Sequence, residues 1–292
     1  SSESITRTSS RNFSTNKIHI DQSALNIDEK VFSIFEEYAK KNNFIENFNE
    51  LMSGERLNNT ENRAVTHFNY RDAKSDIYEA SLNKMGTLAS VIKSKFKKIL
   101  IFGIGGSYLG PKLMNDIFSS QDIEIDFITG SDSAEYQNYI EQDLSDCAFI
   151  ITSKSFSTIE TLTSYSAITK GKLLDQTFAV TSAVNKAEAF GIDSNNIAQI
   201  DLGTGGRFSI WSAVNLGLFI SLGRDGFENL LSGAKSIDDL SSIDVNNPAL
   251  SLAIQDLIMN NVLGMDSTLI LNYDYKLRNF SSYAQQLEME SL

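Results

Sequence analysis

The chain has 292 residues, 41% of them hydrophobic, which is enough for one large domain or two ordinary ones. A net charge of -12 argues against nucleic acid as a partner, because binding phosphate backbones needs a concentrated basic face. No apolar run is long enough to span a membrane, no signal-peptide core is visible, and the single cysteine, Cys147, cannot form an internal disulfide. These features predict a cytoplasmic protein that does not act at a membrane.

The first part of the chain is polar and then helical in pattern. Ser1–Lys17 is rich in Ser, Thr, Asn and Arg and is expected to be poorly ordered. Apolar residues at helical spacing predict helices over Asp28–Tyr38, Asn43–Met52 and Ser75–Ser94. We assign residues 1–95 to an N-terminal helical segment.

From Lys97 onward, short β-branched runs alternate with helical stretches. Five strands are predicted, at Ile99–Phe102, Ile125–Ile128, Ala148–Thr152, Thr177–Thr181 and Ile197–Leu202. The helices between them are predicted from Pro111, around Glu135–Gln142, from Thr158 and around Asn185–Phe190. The alternation predicts an α/β fold for residues 96–225, a doubly wound parallel sheet with helices on both faces.

The remaining residues, 226–292, are predicted to connect this sheet to the start of another. Ser209–Gly223, at the end of the preceding segment, and Leu250–Val262 have the composition of largely apolar helices. Thr268–Asn272 has the pattern of a strand and is followed by a helix from about Leu277.

A glycine-rich turn, Gly103–Lys112, follows the first predicted strand and opens a helix. Glycines let the backbone approach a ligand, and a helix N-terminus attracts anions. A dinucleotide fingerprint would need glycine at Tyr108, and a P-loop would need lysine directly after Gly110, where Pro111 stands. The turn therefore suits a phosphate but belongs to neither class, and a tight strand-to-helix turn is the alternative.

A hydroxyl-rich turn follows the third predicted strand, where open α/β sheets bind ligands. Its four hydroxyls and one lysine suit a phosphate bound without a metal; they belong to Ser153, Lys154, Ser155, Ser157 and Thr158. Ser157 and Glu160 also fit a capping box, which is the favoured interpretation of Ser157. Two such loops at neighbouring strand ends would converge on one anion.

Two further candidates come later in the chain. Arg207 follows the glycines of Gly203–Gly206, where a surface or capping arginine is the usual case; beside a sugar phosphate, it could stabilise negative charge developing on an enediolate oxygen. Gln286 and Glu290 are four residues apart and share a helix face. If that face borders the site, Glu290 is the obvious general base; taken alone, it would more often be a solvated glutamate.

Together these segments resemble the glucose-6-phosphate isomerase family, and they occur in the family's order. The matching stretches are Asn58–His67 ("N-x-TE-x-RAV-x-H"), Gly103–Gly110 ("GIGGSxLG"), Ser153–Thr161 ("SKTFTTxET"), Gly205–Ser212 ("GGR[FY]SLWS") and Gln285–Ser291 ("QQxxMES"). The resemblance implies two sugar-isomerase (SIS) domains, each a doubly wound sheet, in a homodimer.

The resemblance also implies an activity, the interconversion of glucose 6-phosphate and fructose 6-phosphate through a cis-enediol, without metal or organic cofactor. Glu290 would be the base and Arg207 would stabilise the enediolate. The residues expected to contact the substrate are Gly106, Ser107, Ser153, Lys154, Ser155, Thr158, Gly206 and Gln286.

The chain also departs from the family pattern. The family opens the sugar ring with a histidine and a late lysine that follow its "MES" motif, whereas this chain has only His19 and His67, both upstream. His67 matches the N-terminal motif and is interpreted as structural. We therefore expect an incomplete form of the family chain, and a non-catalytic sugar-phosphate-binding SIS module is the alternative function.

Overall fold

The computed structural model describes residues 6–9, 12–14, 19–22, 25, 27–58, 62–118, 122–242 and 247–290. The strands are β1 (Thr6–Ser9), β2 (Asn12–Ser14), β3 (His19–Asp21), β4 (Lys98–Phe102), β5 (Glu124–Ile128), β6 (Cys147–Thr152), β7 (Thr177–Thr181) and β8 (Ile197–Gln199). The α-helices are α1 (Glu29–Lys41), α2 (Phe44–Ser53), α3 (Asp76–Lys95), α4 (Leu109–Phe118), α5 (Ser133–Ile140), α6 (Ile159–Thr169), α7 (Val184–Phe190), α8 (Leu216–Ser241), α9 (Pro248–Asn261) and α10 (Phe280–Met289).

The chain forms two compact units. The smaller unit comprises Ser1–Ala64 and Gly233–Ile270, and the larger unit comprises Val65–Ser232 and Leu271–Leu292. In the smaller unit, α1 packs against α9 through a core of buried apolar side chains, namely Ile27, Phe32, Ile254 and Ile258. The predicted division at residues 95 and 225 stays a prediction.

Strands β1, β2 and β3 of the smaller unit form an antiparallel sheet in that order. The first two lie within Ser1–Lys17, so the expectation of poor order is wrong for the residues that the structure describes there, and the segment 1–95 is not helical throughout. Antiparallel pairing is made by backbone hydrogen bonds and needs no apolar pattern, which is why a polar composition misled the prediction. The other residues of Ser1–Lys17 lie outside the described part of the chain.

The larger unit has a five-stranded sheet in the order β5-β4-β6-β7-β8, and all neighbouring strands are parallel. Successive side chains of a strand point to opposite faces. Accordingly, Ile99 and Ile101 lie in one core with side chains of α3 and α8, whereas Leu100 and Phe102 lie in another with side chains of α5, α6 and α7. The predicted doubly wound α/β fold, with helices on both faces, is confirmed.

Two predicted elements in this unit have a different boundary from the predicted one. The strand predicted to reach Leu202 ends at Gln199, and beyond it the N–H of Asp201 donates to Tyr70 Oη at 2.9 Å. The helix predicted from Ser209 starts as 3₁₀ turns, because Ser212 has extended backbone and its hydroxyl accepts from the N–H of Val214.

The strand predicted at Thr268–Asn272 is not formed: residues 264–273 have irregular backbone. A strand needs a hydrogen-bonded neighbour, and no described strand pairs with this segment. Its apolar residues remain largely exposed, with Leu269 at 79% and Leu271 at 61%.

Candidate functional site at the carboxyl end of the sheet

The glycine-rich and hydroxyl-rich turns leave the sheet from adjacent strands. Strands β4 and β6 pair directly, with Phe102 opposite Ile151. A Cβ atom built on Gly103 would lie 3.1 Å from the carbonyl oxygen of Thr152, so the backbones of the two turns adjoin. The prediction that these turns start at neighbouring strand ends is confirmed.

The glycine turn is shaped by two positions that exclude side chains. Gly105 has a φ of 56°, in the left-handed region that favours glycine. A Cβ on Gly106 would overlap the carbonyl oxygen of Gly206 and lie 2.9 Å from the backbone nitrogen of Arg207. The turn Gly105–Ser107 therefore lies directly against the turn Gly206–Trp211, which carries Arg207 and is called the arginine turn below.

The hydroxyl-rich turn is held by contacts among its own side chains. The hydroxyls of Ser153 and Thr158 are 3.0 Å apart, and Ser157 donates to Ser155 Oγ at 2.8 Å. Phe156 has a φ of 47° and a buried ring. A non-glycine residue in this conformation costs free energy, so the surrounding packing must fix the turn.

The predicted capping box is wrong. Helix α6 has Thr158, not Ser157, as its N-cap residue, and the Thr158 side chain makes no capping hydrogen bond. The physical reason is that both hydroxyls are committed elsewhere, Ser157 to Ser155 and Thr158 to Ser153.

The same turn is joined to the end of β7. The carbonyl of Lys154 accepts from Ser182 N at 3.0 Å and from Thr181 Oγ1 at 3.1 Å. The ammonium of Lys186 donates to the carbonyl of Ser155 at 3.1 Å. Lys186 is a cation beside the turn that the sequence pattern did not indicate.

The arginine turn is a 3₁₀ helix, Gly206–Trp211. The hydroxyl of buried Ser209 lies 2.6 Å from the carbonyl oxygen of Gly206 and 3.4 Å from that of Gly106. It therefore links the arginine turn to the glycine turn by hydrogen bonds. The guanidinium of Arg207 lies 4.6 Å from the ring centre of Phe208. Its Nε is buried and has no hydrogen-bond partner among the described residues.

A stretch before the sheet braces the chain just ahead of this turn. Thr66 Oγ1 donates to the Asp201 carboxylate at 2.7 Å and lies 3.1 Å from Thr204 Oγ1. The hydroxyl of buried Tyr70 accepts from Asp201 N at 2.9 Å. Thr66 and His67 belong to the motif Asn58–His67, but the sequence alone could not show that they contact the segment around Asp201 and Phe208.

His67 is buried beside the arginine turn. Its ring stacks on Phe208 at 4.6 Å between centres. Burial, with smaller contributions from the positive charges of Arg71 and Arg207, lowers the pKa of His67 to about 3. The imidazole is therefore neutral at physiological pH, and its Nδ1 has no partner in the described part of the chain.

Helix α10 borders the glycine and arginine turns. A Cβ on Gly105 would lie 3.1 Å from Gln286 Nε2, and a Cβ on Gly206 would lie 3.7 Å from Glu290 Oε1. Gln286 Oε1 is buried without a partner among the described residues, whereas Glu290 is exposed. The prediction that these two side chains share a face is confirmed, and that face points to the turns.

The structure thus brings a carboxylate, a guanidinium and two close-packed glycine turns to one edge of the sheet. Ser107 ends the glycine turn, and Ser153, Lys154, Ser155 and Thr158 lie in the adjoining turn. Parallel α/β sheets bind ligands at this edge. The fold is thus that of an open parallel α/β sheet whose carboxyl edge brings together glycine-rich and hydroxyl-rich turns, a guanidinium and a carboxylate.

Comparison with known proteins identifies the family. The phosphoglucose isomerase family model matches residues 21–292. A glucose-6-phosphate isomerase of Saccharophagus degradans is 31% identical over 94% of this chain and 56% of its own length. Another, from Shewanella baltica, is 34% identical over 82% of this chain and 51% of its own length. The chain belongs to the phosphoglucose isomerase family, as the five motifs predict, and spans about half the length of these curated relatives.

A solved structure has the same fold. The crystal structure of a glucose-6-phosphate isomerase from Chlamydia trachomatis superimposes with a TM-score of 0.78 at 24% identity, over 91% of this chain and 57% of that one. The predicted SIS-type architecture of the sheet is thereby confirmed.

Two kinds of feature are absent from the residues that the structure describes. None of these helices is long and apolar enough to cross a membrane. No group of three or more His, Cys, Asp or Glu side chains within those residues could hold a metal ion.

Proposed function

We propose that this chain carries the phosphate site, the arginine and the base of an aldose–ketose isomerase acting on glucose 6-phosphate and fructose 6-phosphate. The observation that carries the proposal is the meeting of Glu290 with the Gly206–Arg207 turn. A pure phosphate binder needs neither a carboxylate nor a guanidinium beside its phosphate turns, whereas an isomerase needs both.

The phosphate of the substrate would lie at the hydroxyl-rich and glycine turns. Ser107, Ser153, Ser155 and Thr158 supply hydroxyl donors, and Lys154 supplies positive charge. Several donors on a rigid turn can hold a dianion without a metal. The pairing of Ser153 with Thr158 supports this role, because it keeps two hydroxyls side by side on one turn.

The sugar would extend from there toward Gly206, Arg207, Gln286 and Glu290. Glu290 takes the C2 proton of open-chain glucose 6-phosphate, and the C–H electrons form the C1=C2 bond of a cis-enediolate with its charge on O1. Arg207 stabilises that charge. Glu290 returns the proton to C1, the O2 proton passes to O1, and C2 becomes the carbonyl of fructose 6-phosphate.

A coupled assay tests the proposal. The complete gene product that contains these residues is mixed with fructose 6-phosphate, and the glucose 6-phosphate formed is measured for the wild type, Glu290→Gln and Glu288→Gln. Glu288 is exposed on the same helix and is the matched control. We expect turnover in the wild type and the control and its loss in Glu290→Gln; equal turnover in all three contradicts the proposal.

Calorimetry with 6-phosphogluconate, combined with the turnover assay, distinguishes an isomerase from the alternative function, a non-catalytic binding module. Binding without any turnover in the wild type would indicate a non-catalytic sugar-phosphate-binding module.

The homodimer and the cytoplasmic location expected from the sequence belong to this proposal too. The family resemblance supports the first, and the lone Cys147 supports the second.

A further inference from the structure

The carboxylate of Asp116 on α4 is buried and paired with the segment that precedes α10. Its side chain is 5% exposed. Oδ1 lies 2.6 Å from Lys112 Nζ and 2.7 Å from Arg278 Nη2, and Asn279 Nδ2 donates to Oδ2. A buried carboxylate is tolerated only when it is paired and hydrogen-bonded, and here both oxygens are.

Apolar packing contributes little to holding the start of α10. Within the helix only Ala284 is buried, and Phe280 is 38% exposed. Just before it, Arg278 stacks on Tyr275, which is itself 78% exposed. The polar contacts of Asp116 therefore attach the residues just before this helix to α4, beside the partly buried Tyr283 of its first turn.

The other end of α10 carries Gln286 and Glu290. Glu290 is eleven residues from Asn279, roughly 16 Å along a helix. Because a helix is stiff, fixing its start also fixes where these two side chains lie. Helix α4 begins at Leu109, close after the turn Gly105–Ser107. Asp116 therefore links α4, which follows the glycine turn, to α10, which carries Glu290.

We propose that Asp116, through Arg278 and Asn279, is a positioning residue that clamps α10 so that Gln286 and Glu290 face the glycine and arginine turns. The proposal rests on the proposed function for the role of Glu290. The clamp itself is a statement about α10 and can be tested independently of activity.

The test uses Asp116→Asn and Arg278→Gln in the complete gene product that contains these residues. Arg278→Gln leaves Asp116 paired with Lys112 and so avoids an unpaired buried charge. The control is Glu79→Gln, which removes another carboxylate–arginine contact of the larger unit, the 2.8 Å pair with Arg224. Hydrogen exchange of the α10 and sheet amides, affinity for inorganic phosphate and isomerase turnover are measured for each variant.

We expect amide exchange over residues 283–290 to accelerate by about tenfold or more in both clamp variants, while exchange in β4 and β6 is unchanged. Phosphate affinity is retained and kcat falls, with Arg278→Lys restoring both α10 protection and part of kcat. Unchanged α10 exchange in both variants overturns the proposal, as does faster exchange throughout the sheet, or an unchanged kcat with a loosened helix. If the wild type has no turnover, the proposed function fails, and the exchange of α10 alone decides whether the clamp exists.

Discussion

The carbonyl oxygen of Gly206 occupies the position that a side chain on Gly106 would need. This contact joins two turns that are about a hundred residues apart in sequence. It places Ser107 and Arg207, the residues that follow each glycine, at the same edge of the sheet. The absence of a side chain at residue 106 is therefore a requirement of the site and not only of the local turn.

Gly106→Ala should disrupt this contact. The added methyl group must push the Gly206 backbone away, at a cost of about 1–3 kcal/mol in unfolding free energy, and weaken 6-phosphogluconate binding. Denaturant unfolding and calorimetry measure the two effects. Gly233→Ala is the control: its Cβ would meet nothing within 4 Å, and alanine in a helix should add about 0.5–1 kcal/mol. Equal stability and binding for Gly106→Ala and the wild type would disprove the packing argument.

Tyr70→Phe should loosen the loop ahead of Arg207. The phenol accepts from the N–H of Asp201, and its loss leaves that donor without an acceptor, which costs about 1–3 kcal/mol. Chemical denaturation measures the change. Tyr273, which is 93% exposed, provides Tyr273→Phe as a control that should have the stability of the wild type. A Tyr70→Phe variant as stable as that control contradicts the bracing role.

Ser153→Ala should weaken phosphate binding. Ser153 is buried, and its hydroxyl lies 3.0 Å from that of Thr158. Loss of one hydrogen bond to a charged ligand should raise the Kd for 6-phosphogluconate about tenfold or more. Calorimetry compares it with Ser94→Ala, in which an exposed helix hydroxyl is removed. An unchanged Kd in Ser153→Ala means that the phosphate is not bound at this turn.

His67 should make the fold sensitive to acid. Its pKa is about 3 in the folded chain, below the ordinary value of 6.5, so below pH 6.5 the unfolded chain binds a proton that the folded chain does not. Stability is thus full above pH 6.5 and falls toward pH 3, by up to about 1.4 kcal/mol per pH unit from this group. Denaturant unfolding from pH 7 to pH 4 measures the slope.

His67→Phe keeps a ring against Phe208 and removes the titration, so it should flatten this pH dependence. His19→Gln removes an exposed histidine and serves as the control. If His67→Phe and the wild type lose stability in parallel, His67 is not the group responsible.

The sheet of the larger unit was predictable because its signals are local. Each strand is a short β-branched run followed by a turn, and the alternation with helices implies the parallel order. The segment Thr268–Asn272 carries the same local signal, but no described strand pairs with it, so composition alone could not foresee its irregular backbone. Strands β1 and β2 show the reverse case, in which backbone pairing occurs without an apolar pattern.

The candidate residues could be picked out where a motif carries its own chemistry, as with the glycine turn, Arg207 and the spacing of Gln286 and Glu290, and their roles stay a proposal. The residues that support it were not. Tyr70, Ser209 and Asp116 act through contacts with residues remote in sequence, and only the folded chain shows those partners.

The most direct test of the account is solvent proton exchange at the reacting carbon. Fructose 6-phosphate is incubated with the complete gene product in deuterated buffer, and deuterium entering C1 is followed by NMR. Since only the open-chain fraction reacts, the measurement addresses the base itself and not ring opening. We predict incorporation by the wild type and by Glu288→Gln, and a rate lower by about 100-fold or more in Glu290→Gln. Incorporation by Glu290→Gln at the wild-type rate, or none by the wild type, would contradict the assignment of Glu290 as the base.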